Sequence, residues 1–264
     1  MNTLLNKLSE DSYHTDAHYK RAFIDKAALG SSLYFNTCFI SKLFRNRRIA
    51  RTGKFDTQEW VNGSLNIMEL IERCGGKFHI EGMNNMDKIE GSAVFISNHM
   101  SILESMIFPG LIAARKEVTF VVKDSLVTHP LFGPVMRARK PIAVERKDPI
   151  VDFKKVMNEG YENLQNGTSV VIFPQSARMT KFDPKKFNKL GIKLAKKAKV
   201  QIIPIAIKTD FWKNGKRIKD IGKIDRETPI HIKFGEPFRI EGSGNNEHQK
   251  VIDFITENLS NWQE

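Results

Sequence analysis

A histidine and a carboxylate lie five residues apart, directly after an apolar run of the sequence. The run Ala93–Ser97 leads into Asn98 and His99, and Glu104 follows. Functional sites of open α/β sheets lie where strands end. If Glu104 falls in the first turn of a helix, its carboxylate can accept a hydrogen bond from one imidazole nitrogen, which leaves the other as a base aimed at a hydroxyl. Ser101 would cap that helix. The alternative is a capping histidine beside an unrelated glutamate at the helix start.

A second group of polar residues follows another apolar run. Ser169–Phe173 is rich in β-branched residues and is followed by Gln175, Ser176 and Arg178. This strand end presents an amide, a hydroxyl and a guanidinium, and a guanidinium can hold a phosphate with two parallel hydrogen bonds. The alternative is a turn that carries a surface arginine.

Two further cations lie between these groups. Lys123 and Arg146 flank a loop that contains Pro130, Gly133 and Pro134. Proline and glycine restrict a loop to few shapes, so we expect this loop to have a fixed form beside the site.

The elements that must position these groups alternate between strand and helix from residue 76 onward. This alternation predicts an α/β fold, with a mixed, largely buried sheet flanked by helices in residues 76–264. The predicted strands are Lys77–Glu81, Ala93–Ser97, Val118–Lys123, Ile142–Val144, Ser169–Phe173, Val200–Ile207 and Ile230–Phe234; the predicted helices are Ser101–Ala114, Asp152–Leu164, Phe187–Ala198 and Glu247–Trp262.

Residues 1–75 carry no strand signal and are predicted to form an N-terminal helical segment. A helix over Ala27–Phe44 has a broad apolar stripe, a polar break follows at Arg45–Asp56, and a second helix covers Asp56–Cys74. The stripe and the arginines after it are typical of a helix in a membrane interface, so we interpret residues 1–75 as membrane-docking. The alternative is a helix packed on the protein with a solvated basic end.

Four sequence blocks in a fixed order resemble the glycerolipid acyltransferase family, which includes lysophosphatidate (1-acylglycerol-3-phosphate) acyltransferases. His99–Glu104 is similar to the family's H-x4-D block and Lys123–Arg146 to its second block. Phe173–Arg178 lies where the family has F-P-E-G-T-R, and Ile202–Ile205 is similar to its proline-centred apolar block. The resemblance covers about residues 76–240.

The resemblance implies transfer of a fatty acyl group from acyl-CoA or acyl carrier protein to the hydroxyl of a lysophospholipid acceptor. His99 would be the general base and Glu104 would orient its imidazole, as in a hydrolase triad. Arg178, Lys123 and Arg146 would hold the acceptor phosphate. The reaction needs neither a metal nor a cofactor beyond the acyl donor, and we expect it at the cytoplasmic side of the cell membrane.

Two of these blocks depart from the family pattern. Glu104 replaces the usual aspartate and adds one methylene group. Gln175-Ser176-Ala177 stands where the family has Glu-Gly-Thr, so an acceptor site that includes Gln175 and Ser176 would bind hydroxyls differently. Two alternatives therefore stay open: acylation of a different polar lipid, or a catalytically weak protein that binds lipid surfaces.

Charge and composition limit the partners. The 264 residues carry 42 Lys plus Arg against 30 Asp plus Glu, and the segment from Arg178 to Lys223 alone holds an excess of twelve positive charges. Asp183 is expected to cap a lysine-rich helix that begins at Pro184. These lysines fit an anionic membrane surface, the phosphates of an acyl carrier, or a solvated helix face. No motif of specific nucleic-acid recognition accompanies them.

Export and membrane spanning are not expected from the sequence. There is no N-terminal signal-peptide pattern and no run of 18 or more apolar residues. The two cysteines, Cys38 and Cys74, have no metal-ligand spacing and are expected to be reduced.

Overall fold

A computed structural model describes residues 3–27, 31–175, 177–215 and 221–263. The strands are β1 (Tyr13–His14), β2 (Phe78–Glu81), β3 (Ala93–Ser97), β4 (Val118–Lys123), β5 (Ile142–Val144), β6 (Ser169–Ile172), β7 (Gln201–Lys208) and β8 (Ile230–Phe234). The helices are α1 (Thr3–Lys7), α2 (Phe23–Ala27), α3 (Leu33–Arg51), α4 (Thr57–Arg73), α5 (Leu103–Phe108), α6 (Asp124–Thr128), α7 (Gly133–Ala138), α8 (Pro149–Gln165), α9 (Leu190–Ala198) and α10 (Asn245–Asn261). A π-helical turn, Pro109–Ala113, extends α5, and short 3₁₀ turns form at Met83–Met86 and Pro184–Lys186.

The strands form one eight-stranded sheet in the order β1-β2-β8-β7-β3-β6-β4-β5. The five strands from β7 to β5 are mutually parallel, whereas β8 pairs antiparallel with β7 and β1 antiparallel with β2. The mixed sheet flanked by helices that the alternation predicts is therefore confirmed. The carboxyl ends of β3, β4, β5 and β6 meet at one edge of the sheet.

Strand β3 lies at the centre and is buried on both faces. Phe95 belongs to the apolar cluster that α3, α4 and α5 cover, whereas Val94 and Ile96 belong to the opposite cluster under α8, α9 and α10. A strand buried on both faces reads as a continuous apolar run, which is why its bounds could be predicted from the sequence.

Helix α3 differs from its prediction. It begins at Leu33 and continues to Arg51, so most of the predicted polar break is helical. The stretch has no proline and no glycine before Gly53, and arginine is a good helix former. Residues 28–30 of the predicted helix lie outside the described part of the chain. The apolar stripe is divided, because Phe35 and Phe39 are buried while Leu33 and Phe44 are exposed.

Strand β1 was missed, because residues 1–75 were predicted to be helical. It pairs with the edge of β2 through Tyr13 and His14, too short a segment to show a sequence period. The Tyr13 hydroxyl donates a hydrogen bond of 2.6 Å to the buried Glu72, and Thr15 donates another of 2.6 Å. This contact with α4 fixes the strand on the sheet.

The lysine-rich helix also starts later than predicted. Asp183 accepts the Lys185 N–H at 3.0 Å, as a cap should, but only a 3₁₀ turn follows. Asn188 then accepts the Leu190 N–H at 2.9 Å and α9 begins there. This turn at Asn188 separates the 3₁₀ turn from α9, so the stretch that the sequence presents as one helix is divided.

Within the described residues no helix combines the length and apolar character needed to cross a membrane.

Candidate active site

The loop that carries His99 is held on three sides. Before it, the Asn98 side chain forms two hydrogen bonds with the Ile207 backbone of β7, at 2.8 and 2.9 Å. The His99 N–H donates to Gln175 Oε1 at 2.7 Å, and the His99 carbonyl accepts from the Met179 N–H at 2.8 Å. The His99 backbone is therefore tied to the segment that follows β6, and the preceding residue Asn98 is tied to β7 itself.

The side chains of His99 and Glu104 form a direct pair. His99 Nδ1 lies 2.8 Å from Glu104 Oε1, and the Glu104 side chain is fully buried while that of His99 is 18% exposed. Glu104 lies in the first turn of α5, where its carboxylate folds back over the loop. Because an ionised carboxylate only accepts hydrogen bonds, Nδ1 carries the proton and Nε2 is the nitrogen left for a substrate.

The Glu104 carboxylate is surrounded by donors. Oε1 also accepts from the N–H groups of Met100 at 2.6 Å and Ser101 at 2.9 Å. Oε2 accepts from the hydroxyls of Ser101 at 3.0 Å and Thr209 at 2.7 Å. Burial alone would raise the pKa of Glu104, but the His99 and Thr209 hydrogen bonds lower it below its ordinary value. Glu104 is thus ionised in the interior.

The segment after β6 supports the histidine. The Phe173 ring stacks on the His99 imidazole with centroids 4.3 Å apart. Gln175 is only 5% exposed, and its amide oxygen holds the His99 N–H, while its Nε2 is buried with no hydrogen-bond partner among the described residues. Gln175 thus contacts the histidine loop. Ser176, the other predicted member of this segment, lies outside the described residues.

The three predicted phosphate-binding cations all line one cavity with His99. Lys123 ends β4 and Arg146 follows β5, while Arg178 follows β6. Arg146 has a φ of 61°, a left-handed conformation that costs about 1 kcal/mol or more for a residue with a side chain. Its N–H donates to Asp152 at 2.8 Å, which holds this turn in place. The structure brings together all the predicted site residues that it describes.

The cavity has a volume of about 800 Å³ and extends from His99 along the carboxyl edge of the sheet, with residues of helices from both faces in its lining. One part of its wall is apolar and comes from α3, α4, α5, β4, α7 and the loop before α7. The residues on this wall include Leu43, Trp60, Ile67, Met106, Phe120, Leu131, Phe132 and Val135. Pockets of about 300–1,000 Å³ with a mainly apolar lining bind small molecules. This cavity can therefore hold a long hydrocarbon chain with its polar end at His99.

Sequence reasoning missed Thr209 and Asp152. Thr209 follows β7 directly, so the signal was a hydroxyl residue at a strand end, but its contact with Glu104 depends on how β7 pairs with β3. Asp152 accepts the N–H groups of Glu145 and Arg146, and in the sequence it reads as an ordinary residue of a helix start.

The family model and the known proteins that match this chain are all acyltransferases. The family model named Acyltransferase matches residues 77–208, half of the chain. A 1-acyl-sn-glycerol-3-phosphate acyltransferase from Pseudomonas aeruginosa is 27% identical over 192 residues, which are 72% of this chain and 70% of that protein. The chloroplastic 1-acyl-sn-glycerol-3-phosphate acyltransferase LPAT1 from Arabidopsis thaliana is 29% identical over 134 residues, half of this chain and 36% of that protein.

A solved structure shares the fold. The crystal structure of the 1-acyl-sn-glycerophosphate acyltransferase PlsC from Thermotoga maritima superposes with a TM-score of 0.65, covering 87% of this chain and 97% of that chain at 16% sequence identity. His99 and Glu104 both lie within residues 77–208, which the family model matches. The chain belongs to the acyltransferase family.

Proposed function

We propose that this protein transfers a fatty acyl group from acyl-CoA or acyl carrier protein to the free hydroxyl of a 1-acylglycerol-3-phosphate acceptor. The observation that carries the proposal is the His99–Glu104 pair, 2.8 Å apart, at the polar end of an apolar cavity of about 800 Å³. A base, a hydrocarbon site and several cations together fit a lysophospholipid and an acyl thioester. The relatives named above supply the acceptor class.

His99 acts on the acceptor hydroxyl. Its Nε2 takes the hydroxyl proton while the oxygen attacks the thioester carbonyl and forms the new C–O bond. When the tetrahedral intermediate collapses, the C–S bond breaks, and the leaving thiolate takes the proton back from the imidazolium. The protons balance within one cycle without a covalent acyl-enzyme.

Glu104 keeps His99 ready for this step. It holds the Nδ1 proton and so fixes the tautomer in which Nε2 is a base. When His99 gains its second proton, the buried carboxylate stabilises the positive charge, as the hydrogen bonds from Ser101 and Thr209 keep Glu104 ionised.

The acceptor phosphate binds the cations at the carboxyl edge of the sheet. Lys123, Arg146 and Arg178 lie at the carboxyl ends of the neighbouring strands β4, β5 and β6 or just after them. Arg178 belongs to the segment after β6 that also holds His99. Charge-assisted hydrogen bonds from these residues place the acceptor hydroxyl near Nε2. The acyl chain occupies the apolar wall of the cavity.

The protein meets its lipid at a membrane surface, through α3. The Leu33 side chain is 71% exposed and that of Phe44 is 54% exposed, and Arg47, Arg48 and Arg51 follow on the same helix. Exposed apolar side chains beside arginines suit the interface of an anionic bilayer. This contact would be peripheral, on the cytoplasmic side.

An assay of the purified protein with labelled acyl donors tests the proposal. Acyl-CoA and acyl carrier protein are each offered with 1-acylglycerol-3-phosphate, with other lysophospholipids, and with lysolipids that lack phosphate. We expect transfer to the phosphomonoester acceptor above the others. Equal transfer to acceptors without phosphate, or no transfer from either donor, would contradict the proposal.

A further inference from the structure

The cavity that holds His99 carries more positive charge than one phosphate requires. Six lysines and arginines line it, whereas Asp152 is the one acidic residue in that lining. Asp152 is engaged with two backbone N–H groups. The six cations are Lys123, Arg139, Arg146, Arg178, Lys189 and Lys193.

Arg139 is set apart from the other five. Its guanidinium lies 4.6 Å from the ring centre of Trp60, and it contacts Glu117 at 3.6 Å. It therefore belongs to the apolar part of the cavity, away from the carboxyl ends of the strands.

The remaining cations fall into two groups on different elements. Lys123 and Arg146 follow β4 and β5, at one side of the sheet, and Arg178 follows the neighbouring strand β6. Lys189 directly precedes α9 and Lys193 lies in its first turn, and α9 packs over β3 and β7 on the other side of the site. The acceptor phosphate that we assign to the first group leaves the second group for another anion.

Both lysines of α9 are oriented by neighbours. Lys189 Nζ lies 2.6 Å from Asn245 Oδ1 of α10. Lys193 Nζ lies 5.1 Å from the ring centre of Phe153, itself a lining residue on α8. An ammonium group placed against an aromatic ring keeps its charge near the cavity surface.

We propose that Lys189 and Lys193 bind the phosphate of the phosphopantetheine arm of the acyl donor. This inference rests on the proposed function and extends it to the donor side of the site. Acyl-CoA and acyl carrier protein both present their thioester at the end of this arm, so a single lysine pair serves either donor. The arm then runs along α9 and brings the thioester to His99, while the acceptor phosphate lies on the opposite side.

The test is the double variant Lys189→Gln/Lys193→Gln, with Lys196→Gln as its matched control. Lys196 lies on the same helix, is exposed, and is not among the lining residues of the cavity. Three donors are compared: acyl-CoA, acyl carrier protein, and acyl-pantetheine, which carries the same thioester without phosphate. The acceptor concentration is varied separately.

We expect the double variant to raise the KM for acyl-CoA and for acyl carrier protein at least roughly tenfold, because two charge-assisted contacts to the phosphate are lost. The KM for the acceptor stays within about twofold, and Lys196→Gln behaves as wild type. For acyl-pantetheine the wild type already has a high KM, and the double substitution changes it little.

Any of four results would overturn the inference. The first is an unchanged KM for the donors. The second is a rise in the KM for the acceptor, which would show that the two lysines bind the acceptor phosphate. A rise for acyl-CoA alone would point to the nucleotide part of CoA. Weaker binding to anionic vesicles with an unchanged donor KM would assign the lysines to the membrane.

A binding measurement separates this inference from the proposed function. Titration calorimetry of phosphopantetheine alone, with no acceptor, needs no turnover and leaves out the nucleotide of CoA. If the wild type transfers no acyl group but binds phosphopantetheine at least roughly tenfold more tightly than the double variant, the lysine site stands while the acceptor proposal fails. Equal phosphopantetheine binding by both proteins contradicts the lysine site.

Discussion

Glu104 Oε1 lies 2.8 Å from Nδ1 of His99 and at the same time accepts the N–H groups of Met100 and Ser101. The carboxylate that orients the base therefore also folds the loop that carries it. In this arrangement a change at Glu104 alters both the tautomer of the imidazole and its position. Glutamate is one methylene group longer than the aspartate of the family pattern, and from the first turn of α5 its carboxylate reaches the backbone of the loop.

Glu104→Gln is expected to lower kcat by about 10³-fold or more. The amide is neutral, so it cannot stabilise the imidazolium, and its NH₂ group meets donors instead of acceptors. Steady-state kinetics with 1-acylglycerol-3-phosphate measure the loss. Thr209→Val, which removes one hydrogen bond to Oε2, serves as the graded comparison and should cost less. A Glu104→Gln protein with nearly normal kcat would remove Glu104 from the mechanism.

Gln175→Ala is expected to lower both stability and activity. The His99 N–H loses its acceptor, and an unsatisfied buried donor costs about 1–3 kcal/mol. Gln175→Glu keeps an oxygen at this position and should stay closer to wild type in kcat. Urea unfolding and kinetics of both variants check this. If Gln175→Ala had normal kcat but changed the preference among acceptors, Gln175 would be a substrate ligand instead.

The His231 ring stacks between His79, with centroids 4.8 Å apart, and Trp262, with centroids 5.1 Å apart, and this arrangement predicts a dependence of stability on pH. Burial, then the neighbouring His79 and Lys208, lower the pKa of His231 from 6.5 to about 4, with Asp210 opposing. The unfolded chain takes up its proton first, so the free energy of unfolding falls as the pH drops from 6.5 towards 4.

His231→Gln should flatten this part of the stability profile, as measured by urea unfolding across the same pH range. His18→Gln removes an exposed histidine and is the control, with the slope of the wild type expected. An identical slope in His231→Gln and wild type would show that His231 does not carry the effect.

The exposed residues of α3 make a prediction about membrane contact. The double variant Leu33→Gln/Phe44→Gln should bind anionic vesicles at least roughly tenfold more weakly in a sedimentation assay. Each substitution removes part of the roughly 1.5–3 kcal/mol of free energy that full burial of an apolar side chain gives. Tyr161→Gln on α8 is the control, since it removes a comparably large side chain from another exposed surface. If the two variants bound vesicles equally well, the membrane contact would lie elsewhere on the protein. If the wild type bound vesicles in neither low nor high salt, there would be no membrane contact.

The sequence was sufficient to predict the bounds of four strands that are fully or alternately buried. The bounds of β3, β4, β5 and β8 agree with their predictions, because fully or alternately buried strands leave a clear apolar pattern. The predicted helix over Ala27–Phe44 was wrong at both ends, since α3 begins at Leu33 and continues to Arg51; charged residues also continue a helix when no glycine or proline stops them. The start of the lysine-rich helix was wrong because a turn at Asn188 separates the 3₁₀ turn at Pro184–Lys186 from α9.

Only the site contacts between residues that are close in the sequence could be predicted. His99 and Glu104 are five residues apart, so their pairing was accessible from spacing alone. The hydrogen bonds of Glu104 with Thr209 and of His99 with Gln175 join residues more than seventy positions apart. They depend on which strands are neighbours in the sheet, and no pattern in the sequence specifies that order. The same is true of the cavity, whose lining combines residues that are far apart in the sequence, from Leu43 to Lys193.

The most direct test of the account is the turnover of His99→Ala with 1-acylglycerol-3-phosphate and the better of the two acyl donors. The account predicts a loss of at least about 10³-fold in kcat, together with an unfolding profile close to that of wild type. A folded His99→Ala protein that retains turnover within about tenfold of wild type would contradict the role of His99 as general base.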